Sequence, residues 1–495
     1  MAVDKPYSSE FSKIEAFKSK YWILVFLAYV VLLAAVVSNH EPWMDEAQPW
    51  LYGQDLSVRD LLVKYLRYDG HPPLWYVIVM IPAKLGFPYF TINVLSACFS
   101  ALGVWLFLRY SPFPATVKIL FPFSFFVFYQ YGVVARSYCL IPPLLFLIAI
   151  VYKKKMEHPI LYSLLLCLLA NVSAYTFLMA GAFLFVHLLD IVKQWKQLDK
   201  QNKVSQALAV LMLGLTAFLV VLILAPPPDQ SFAQGYNLSL MNFLDVSQRR
   251  IAGALVMDEL GDNILAQTII SLAIFVVTFL WFCYKRLTLL FLLPSLLILT
   301  LFAVKYSNVW HEGILFFLWI FVLWISFERD SKKEPAVLSK TVLVLMTVVL
   351  AVQVYWSVFV IRYDLNHNYS AGYEVAQYIK ENQLEDKRLF LSGWKSLAIL
   401  PYFEKNIFYN HNNGSKERFW FLSTRNPATY GAGPEVINRI ENEQPDLAVF
   451  ASDHMEPNTT IEIKGYRFVG AFEGNLCWKT GLFEPDTFWV FRKIE

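Results

Sequence analysis

Long apolar runs separated by short polar stretches organise this chain. Such runs cover residues 21–38, 90–108, 115–131, 138–152, 159–172, 174–191, 204–225, 264–284, 288–304, 313–327 and 338–361. Recurrent runs near the length that spans a bilayer, about 20 residues for a helix, predict a polytopic α-helical membrane protein. One further apolar segment, 74–81, is shorter and is followed at once by Pro82. If it crosses, Arg109 and Lys118 fall outside and every later span inverts. If it stays in the outer interface, Arg109, Lys153 to Lys155, Lys193, Lys196, Lys285, Arg286, Arg329, Lys332 and Lys333 all fall inside. The lysines before the first span, Lys5, Lys13, Lys18 and Lys20, then lie on that side too. Positive charge collects on the cytoplasmic side, so the loop charges select the second arrangement.

That arrangement predicts eleven spans within residues 1–362, a long first outer loop (39–89), a second outer loop (226–263) and a short polar one (305–312). In the first loop, Ser57 to Asp60 resembles a capping box with Asp in place of Glu. Val58, Leu61, Leu62, Tyr65 and Leu66 then share one face, the pattern of a helix lying in the membrane interface. After Tyr363 the composition becomes that of a soluble domain. Ser370 predicts the start of a helix through 382, with Val375, Ala376 and Ile379 on its buried face. Short strands are predicted at 389–391, 407–409, 447–451 and 488–491. Residues 363–495 thus read as a small α/β domain on the outer side.

Composition sharpens this picture. The chain is 57% hydrophobic and 16% charged, against about 25% charged for a soluble globule. A net charge of +3 is too small to point to nucleic acid. Of the five cysteines, only Cys477 lies in the polar C-terminal part, so that part holds no internal disulfide.

The candidate chemistry gathers on the outer face. Asp45 and Glu46 follow the first span directly, between Trp43 and Trp50, where a carboxylate is costly without a partner or a task. His71 opens His-Pro-Pro, whose prolines fix the backbone and aim the ring. Arg136, Asn171, Lys305 and His311 complete the set. Each has a plain reading alone. The acids suit a helix N-terminus, the tryptophans an aromatic belt, and the arginine a snorkelling position. Asn171 suits a bond to a neighbouring helix. Jointly, acids beside cations at the lipid boundary fit a lipid-phosphate substrate. The cations would hold the phosphate and a carboxylate would take a proton from an incoming hydroxyl.

Trp43-Met44-Asp45-Glu46-Ala47, His71-Pro72-Pro73-Leu74-Trp75-Tyr76 and Ala135-Arg136-Ser137-Tyr138, in that order, resemble motifs of the GT-C superfamily of membrane glycosyltransferases. The branch it is most similar to holds the protein mannosyltransferases and lipid-A aminoarabinose transferases. The resemblance implies Asp45 as catalytic base, with Glu46 supporting it or contacting the acceptor. It implies that His71 and Arg136 line the donor site, and by position it suggests Lys305 and His311 as phosphate contacts. The implied donor is a polyprenyl-phosphate sugar, transferred with inversion to a glycan, lipid or protein acceptor. Members differ in using a divalent metal; Asp45, Glu46 and His71 are the residues able to ligate one, though no ligand spacing demands it. The outer side reads as a bacterial periplasm or an ER lumen; uncleaved insertion and a short cytoplasmic tail suit a bacterial inner membrane better, with the C-terminal part in the periplasm. No Asp-x-Asp, glycine-rich dinucleotide, zinc-peptidase or serine-hydrolase motif is present. The competing readings are a lipid-linked-sugar transporter or flippase, and a non-catalytic assembly protein. A transporter would favour inverted repeats and a midplane site, and the sequence shows neither.

Overall fold

The computed structural model describes residues 21–231, 239–258, 263–329, 335–453 and 461–494. The flanking lysines Lys5, Lys13, Lys18, Lys20, Lys332 and Lys333 lie outside the described residues.

Among the described residues, six helices are long and apolar enough to cross a membrane: Thr91–Tyr110, Ala174–Gln194, Lys200–Leu224, Ile264–Tyr284, Val309–Glu328 and Ala336–Asp364. Shorter apolar helices include Tyr21–Val37, Ser137–Tyr152, Pro159–Ala170 and Thr288–Val304. Their packing shows which surface meets lipid. The Glu312–Glu328 helix is buried from Glu312 through Ser326 and forms the centre of the bundle. The Lys200–Leu224 helix instead leaves Leu211, Leu215 and Phe218 largely exposed. A leucine face of that size is unfavourable in water and at home against acyl chains. The molecule is an integral membrane protein.

The stretch expected as one span over 115–131 is not a continuous α-helix. It breaks into Ala115–Leu120, a 3₁₀ turn at Phe121–Phe123 and a wide π-type segment, Phe126–Val133. Pro122 removes one backbone donor from the run. Every residue of Phe126–Val133 is buried, so the irregular backbone lies against protein rather than lipid. Ser100 Oγ donates to the Val127 carbonyl at 3.0 Å, satisfying one freed group. The break ends in extended backbone at Val134 and delivers Ala135 and Arg136 to the end of the bundle that carries Asp45.

The apolar segment after His71 forms the helix Leu74–Lys84. Eleven residues rise about 16 Å, near half of the ~30 Å hydrocarbon core. The helix packs on Met44–Asp55. Gly53 permits the contact, since a Cβ there would lie 3.1 Å from Met80 Cα and 3.0 Å from Ala83 Cβ. Between the two, Ser57 caps its turn as expected, its Oγ accepting from Asp60 N–H at 3.1 Å. The apolar face that follows meets protein as well as the interface. Leu61, Tyr65 and Leu66 are buried, and Phe419 and Phe421 stand 4.9 and 5.3 Å from the Tyr65 ring, while Val58 stays exposed.

The C-terminal residues build a four-stranded sheet in the order β1 (Leu389–Ser392), β2 (Leu447–Ala451), β6 (Phe488–Lys493) and β3 (Tyr466–Phe472). β1 and β2 are parallel; β6 is antiparallel to both neighbours. β4 (Asn475–Trp478) and β5 (Leu482–Pro485) form a separate hairpin. The strand expected at 407–409 is only a single bridge, Phe408 to Leu389. The helix Gly372–Glu381 begins two residues after Ser370 and buries Val375, Ala376 and Ile379.

Two seams join the sheets to the membrane helices. Arg418 donates to Asp55 through its backbone N–H at 2.8 Å and Nε at 3.1 Å, and Gln48 exchanges two 2.8 Å bonds with the Trp420 backbone. At the other seam the turn of the β4–β5 hairpin sends Lys479 to Glu312 at 2.7 Å. The C-terminal sheets therefore lie on the same side of the bundle as the first outer loop.

Candidate active site

The helix Met44–Asp55 begins by turning its own carboxylate back on itself. Glu46 accepts the Trp43 N–H at 3.1 Å, satisfying a donor that every helix start leaves orphaned. Its other oxygen accepts Ala135 N–H at 2.6 Å and Asn93 Nδ2 at 3.3 Å. Glu46 has no exposed surface. It pins the first outer loop to the segment carrying Arg136, and its burial leaves no surface for contact with an acceptor.

One residue earlier, Asp45 points the other way. Its Oδ2 lies 2.9 Å from Arg136 Nη1, and its side chain keeps 26% of its surface. The Arg136 guanidinium stands 5.2 Å from the Tyr138 ring and 5.3 Å from Trp310. Those rings restrict its motion while leaving the charge available. Burial raises the Asp45 carboxyl above the ordinary carboxylate range; Arg136 and then His71 pull it back, while Asp69 and Glu46 push it up.

His71 borders the same opening. Its Nδ1 lies 3.0 Å from the Asp69 carbonyl and 3.2 Å from Asp69 Oδ2, and its side chain is about a third exposed. Tyr76 donates to the same Asp69 carboxylate. Burial works against a charge on His71, but the hydrogen bond and charge of Asp69 outweigh it and raise its pKa. Nδ1 is held by Asp69, so Nε2 is the nitrogen left to meet a ligand. Asn171, from the sequence set, caps its own helix, with Nδ2 donating to Cys167 O at 2.8 Å; its carbonyl accepts Leu74 N–H at 3.1 Å and anchors the His-Pro-Pro turn.

The loop 305–312 closes the site from the far side. His311 is buried, and both ring nitrogens face N–H groups: Asn308 N at 2.8 Å and Trp310 Nε1 at 3.1 Å. A neutral imidazole has one acceptor nitrogen: Nδ1 takes the Asn308 N–H, and Nε2, which carries the ring proton, abuts the Trp310 indole, so neither nitrogen is open to a phosphate. His311 shapes the loop and is not placed to hold an anion. Lys305 is partly exposed at the end of Thr288–Val304. Its neighbour Tyr306 lies within electrostatic reach of Asp45 and Arg136. Burial raises the Tyr306 phenol, the Asn308 amide lowers it, and Asp45 and Arg136 act on it with opposite signs.

Sequence reasoning missed Tyr306, Trp310 and the buried acid Glu312, to which Arg250 Nη1 donates at 2.9 Å. Tyr306 carries no charge to draw attention. Glu312 had a signal, a carboxylate opening an apolar helix. The suggested metal set does not converge, because the Glu46 oxygens are committed to N–H donors. Among the described residues no group of three His, Cys, Asp or Glu side chains is placed to hold a metal ion.

No protein-family model matches this sequence, and no curated protein matches it closely. Among solved structures, ArnT from Cupriavidus metallidurans in the apo state superposes with a TM-score of 0.54 over 96% of this chain and 98% of its own, at 11% identity. ArnT is a lipid A aminoarabinose transferase of GT-C fold. The likeness at that identity is one of fold, and it is the fold that the three motifs led one to expect.

Proposed function

We propose that this GT-C-fold membrane protein is a glycosyltransferase. It moves a sugar from a polyprenyl-phosphate donor to a hydroxyl acceptor on the outer face of a bacterial inner membrane. Residues 1–362 form the transmembrane domain, of eleven spans, and residues 363–495 a periplasmic α/β domain. The observation that carries this reading is the Asp45–Arg136 pair, 2.9 Å apart, part-exposed at the membrane boundary and walled by Tyr138 and Trp310.

The geometry suggests an order of events. In the free protein Arg136 opposes the effect of burial on Asp45 and keeps the carboxylate a weak base. An arriving donor phosphate competes for the guanidinium, which binds it bidentately. Asp45 then loses its main counter-charge and becomes a stronger base. It takes the proton of the acceptor hydroxyl as the acceptor oxygen attacks the anomeric carbon. The bond from that carbon to the phosphate oxygen breaks on the opposite side, so the centre inverts. The prenyl phosphate departs as an anion held by Arg136, with His71 Nε2 beside it. Glu46 acts from behind, fixing both Asp45 and Ala135.

The test is reconstitution of the full chain in proteoliposomes with a radiolabelled polyprenyl-phosphate sugar. Asp45→Asn should abolish transfer to endogenous or added acceptor while the protein keeps its melting temperature. Full transfer by Asp45→Asn would remove Asp45 from this role, and translocation of donor lipid without a glycosidic product would favour a flippase.

A further inference from the structure

Behind the Asp45–Arg136 pair lies a second cluster that no step above uses. His40 sits between the first membrane helix and Met44–Asp55, with no side-chain surface exposed. Its Nδ1 is 3.0 Å from Asp364 Oδ2, and its Nε2 is 3.4 Å from Glu46 Oε2. A neutral imidazole has one N–H to offer, so one ring serves both carboxylates only as the doubly protonated cation. Burial works against that charge, yet Asp364 and Glu46 outweigh it and the ring is pushed up to about 10.

The surroundings are closed. Tyr369 lies 4.5 Å from the ring, ring centre to ring centre, and Tyr129 lies 6.3 Å away. Tyr129 OH also donates to Asp364 Oδ2 at 3.1 Å, and Asn39 Nδ2 donates to the Asp364 carbonyl at 2.7 Å. Glu41, next in sequence, adds a further acid beside the ring, and Cys477 of β4 stands near Asp364. Asp364 is the last residue of the helix Ala336–Asp364.

This cluster is continuous with the reactive pair. Glu46 follows Asp45 in the chain, and the Glu46 oxygen not facing His40 accepts the N–H of Ala135, the residue before Arg136. We propose that His40 is a positioning residue: a buried imidazolium clamped between Asp364 and Glu46 that sets how Arg136 seats against Asp45, tying the end of the last membrane helix to the transfer site. The inference rests on the transferase reading above.

The variant His40→Gln keeps a polar side chain and removes the charge. The measurements are kcat, donor KM and the pH profile of transfer in proteoliposomes, with the melting temperature of the full chain in detergent. Transfer should fall about tenfold to a hundredfold in kcat, the scale of a displaced reactive group. Donor KM should rise as well, because Arg136 is also the group that holds the donor phosphate. The acid limb should move to higher pH, because a poorly seated Arg136 no longer counters the burial of Asp45. Asp364→Asn removes one flanking charge and should give the same changes at smaller amplitude; it decides the matter where His40→Gln does not fold. Unchanged kcat and acid limb in a folded variant overturn the inference, as does a lower melting temperature with no movement of the limb, which marks a role in folding alone. Wild-type protein without transfer, or Asp45→Asn with full transfer, overturns the transferase reading and this inference with it. Failure confined to the His40 and Asp364 variants leaves that reading standing.

Discussion

Arg136 Nη1 lies 2.9 Å from Asp45 Oδ2, yet this buried nitrogen aims no well-aligned hydrogen bond at the carboxylate. Charge and the flanking rings of Tyr138 and Trp310 hold the pair, not a directed bond. Such a guanidinium is ready to turn to a phosphate. Arg136→Lys keeps the charge but loses the planar fork and the stacking. We expect kcat/KM to drop about a hundredfold, as for loss of one well-placed charge-stabilising donor, with most of the change in donor KM. Steady-state kinetics across donor concentrations will show it; wild-type kinetics in the variant would mean that Arg136 does not hold the phosphate.

The pH dependence follows from Asp45. In the proposed role Asp45 works ionised, and burial raises its pKa above the usual carboxylate value of about 4. Activity should therefore fall as pH drops through a limb above that value. Arg136 is the strongest group lowering it and His71 the next. Arg136→Ala should push the limb to higher pH, and His71→Gln should do so by less. The kcat/KM profile of the free enzyme reads this directly. A limb that moves downward in either variant would contradict the assignment.

Much of this was visible in the chain because membrane patterning is strong and local. The Met44–Asp55 start and the Ser57 turn follow from acids and caps that act over a few residues; the helix Gly372–Glu381 follows from its apolar periodicity, since its cap residue is Ala371 rather than the expected Ser370. Asp45 and Arg136 were named from residue chemistry and the loop-charge argument, and their contact agrees with an arrangement that places both on one face. The rest depends on distant partners. His311 reads as a cation until Asn308 and Trp310 are seen to face both its nitrogens. Glu46 reads as a second reactive acid until Ala135 arrives from 89 positions along the chain. The break at Phe121–Phe123 had a signal in Pro122, but apolarity across 115–131 outweighed it. β3, β4 and β5 lack the run of β-branched residues that marks a strand, and their register is set by partners such as β6.

The second seam rests on a buried ion cluster. Lys479 donates to Glu312 at 2.7 Å and to the carbonyls of Gly253 and Met257 at 3.0 and 2.9 Å, while Arg250 takes the other Glu312 oxygen. Glu312 and Lys479 are almost wholly buried. Removing Lys479 takes the donor from one Glu312 oxygen and from two buried carbonyls while Arg250 still faces the acid, at a cost of about 1–3 kcal/mol. Lys479→Met should lower the melting temperature in detergent and loosen the β4–β5 hairpin to proteolysis. The double variant Lys479→Met with Glu312→Gln should not recover the loss, because it also takes the carboxylate from Arg250. A single variant as stable as the wild type would show that this seam contributes little.

Gly313 tests whether the centre of the bundle is coupled to the site. It is the second residue of the buried Glu312–Glu328 helix, and a Cβ there would lie 2.6 Å from Tyr131 Cζ and 2.8 Å from Phe126 Cδ1. Both rings are buried and have little room to yield. Overpacking of this kind costs about 1–3 kcal/mol. Tyr131 OH donates to the Trp310 carbonyl at 2.9 Å, and the Trp310 ring flanks Arg136. Gly313→Ala should thus lower both the melting temperature and kcat although Asp45 and Arg136 are intact. Gly181→Ala is the control: nothing lies within 4 Å of its Cβ position, and alanine is the better helix former by up to about 1 kcal/mol. That variant should match or exceed wild-type stability with unchanged transfer. Equal behaviour of the two would mean that the contact of Gly313 with Tyr131 transmits nothing to the outer face.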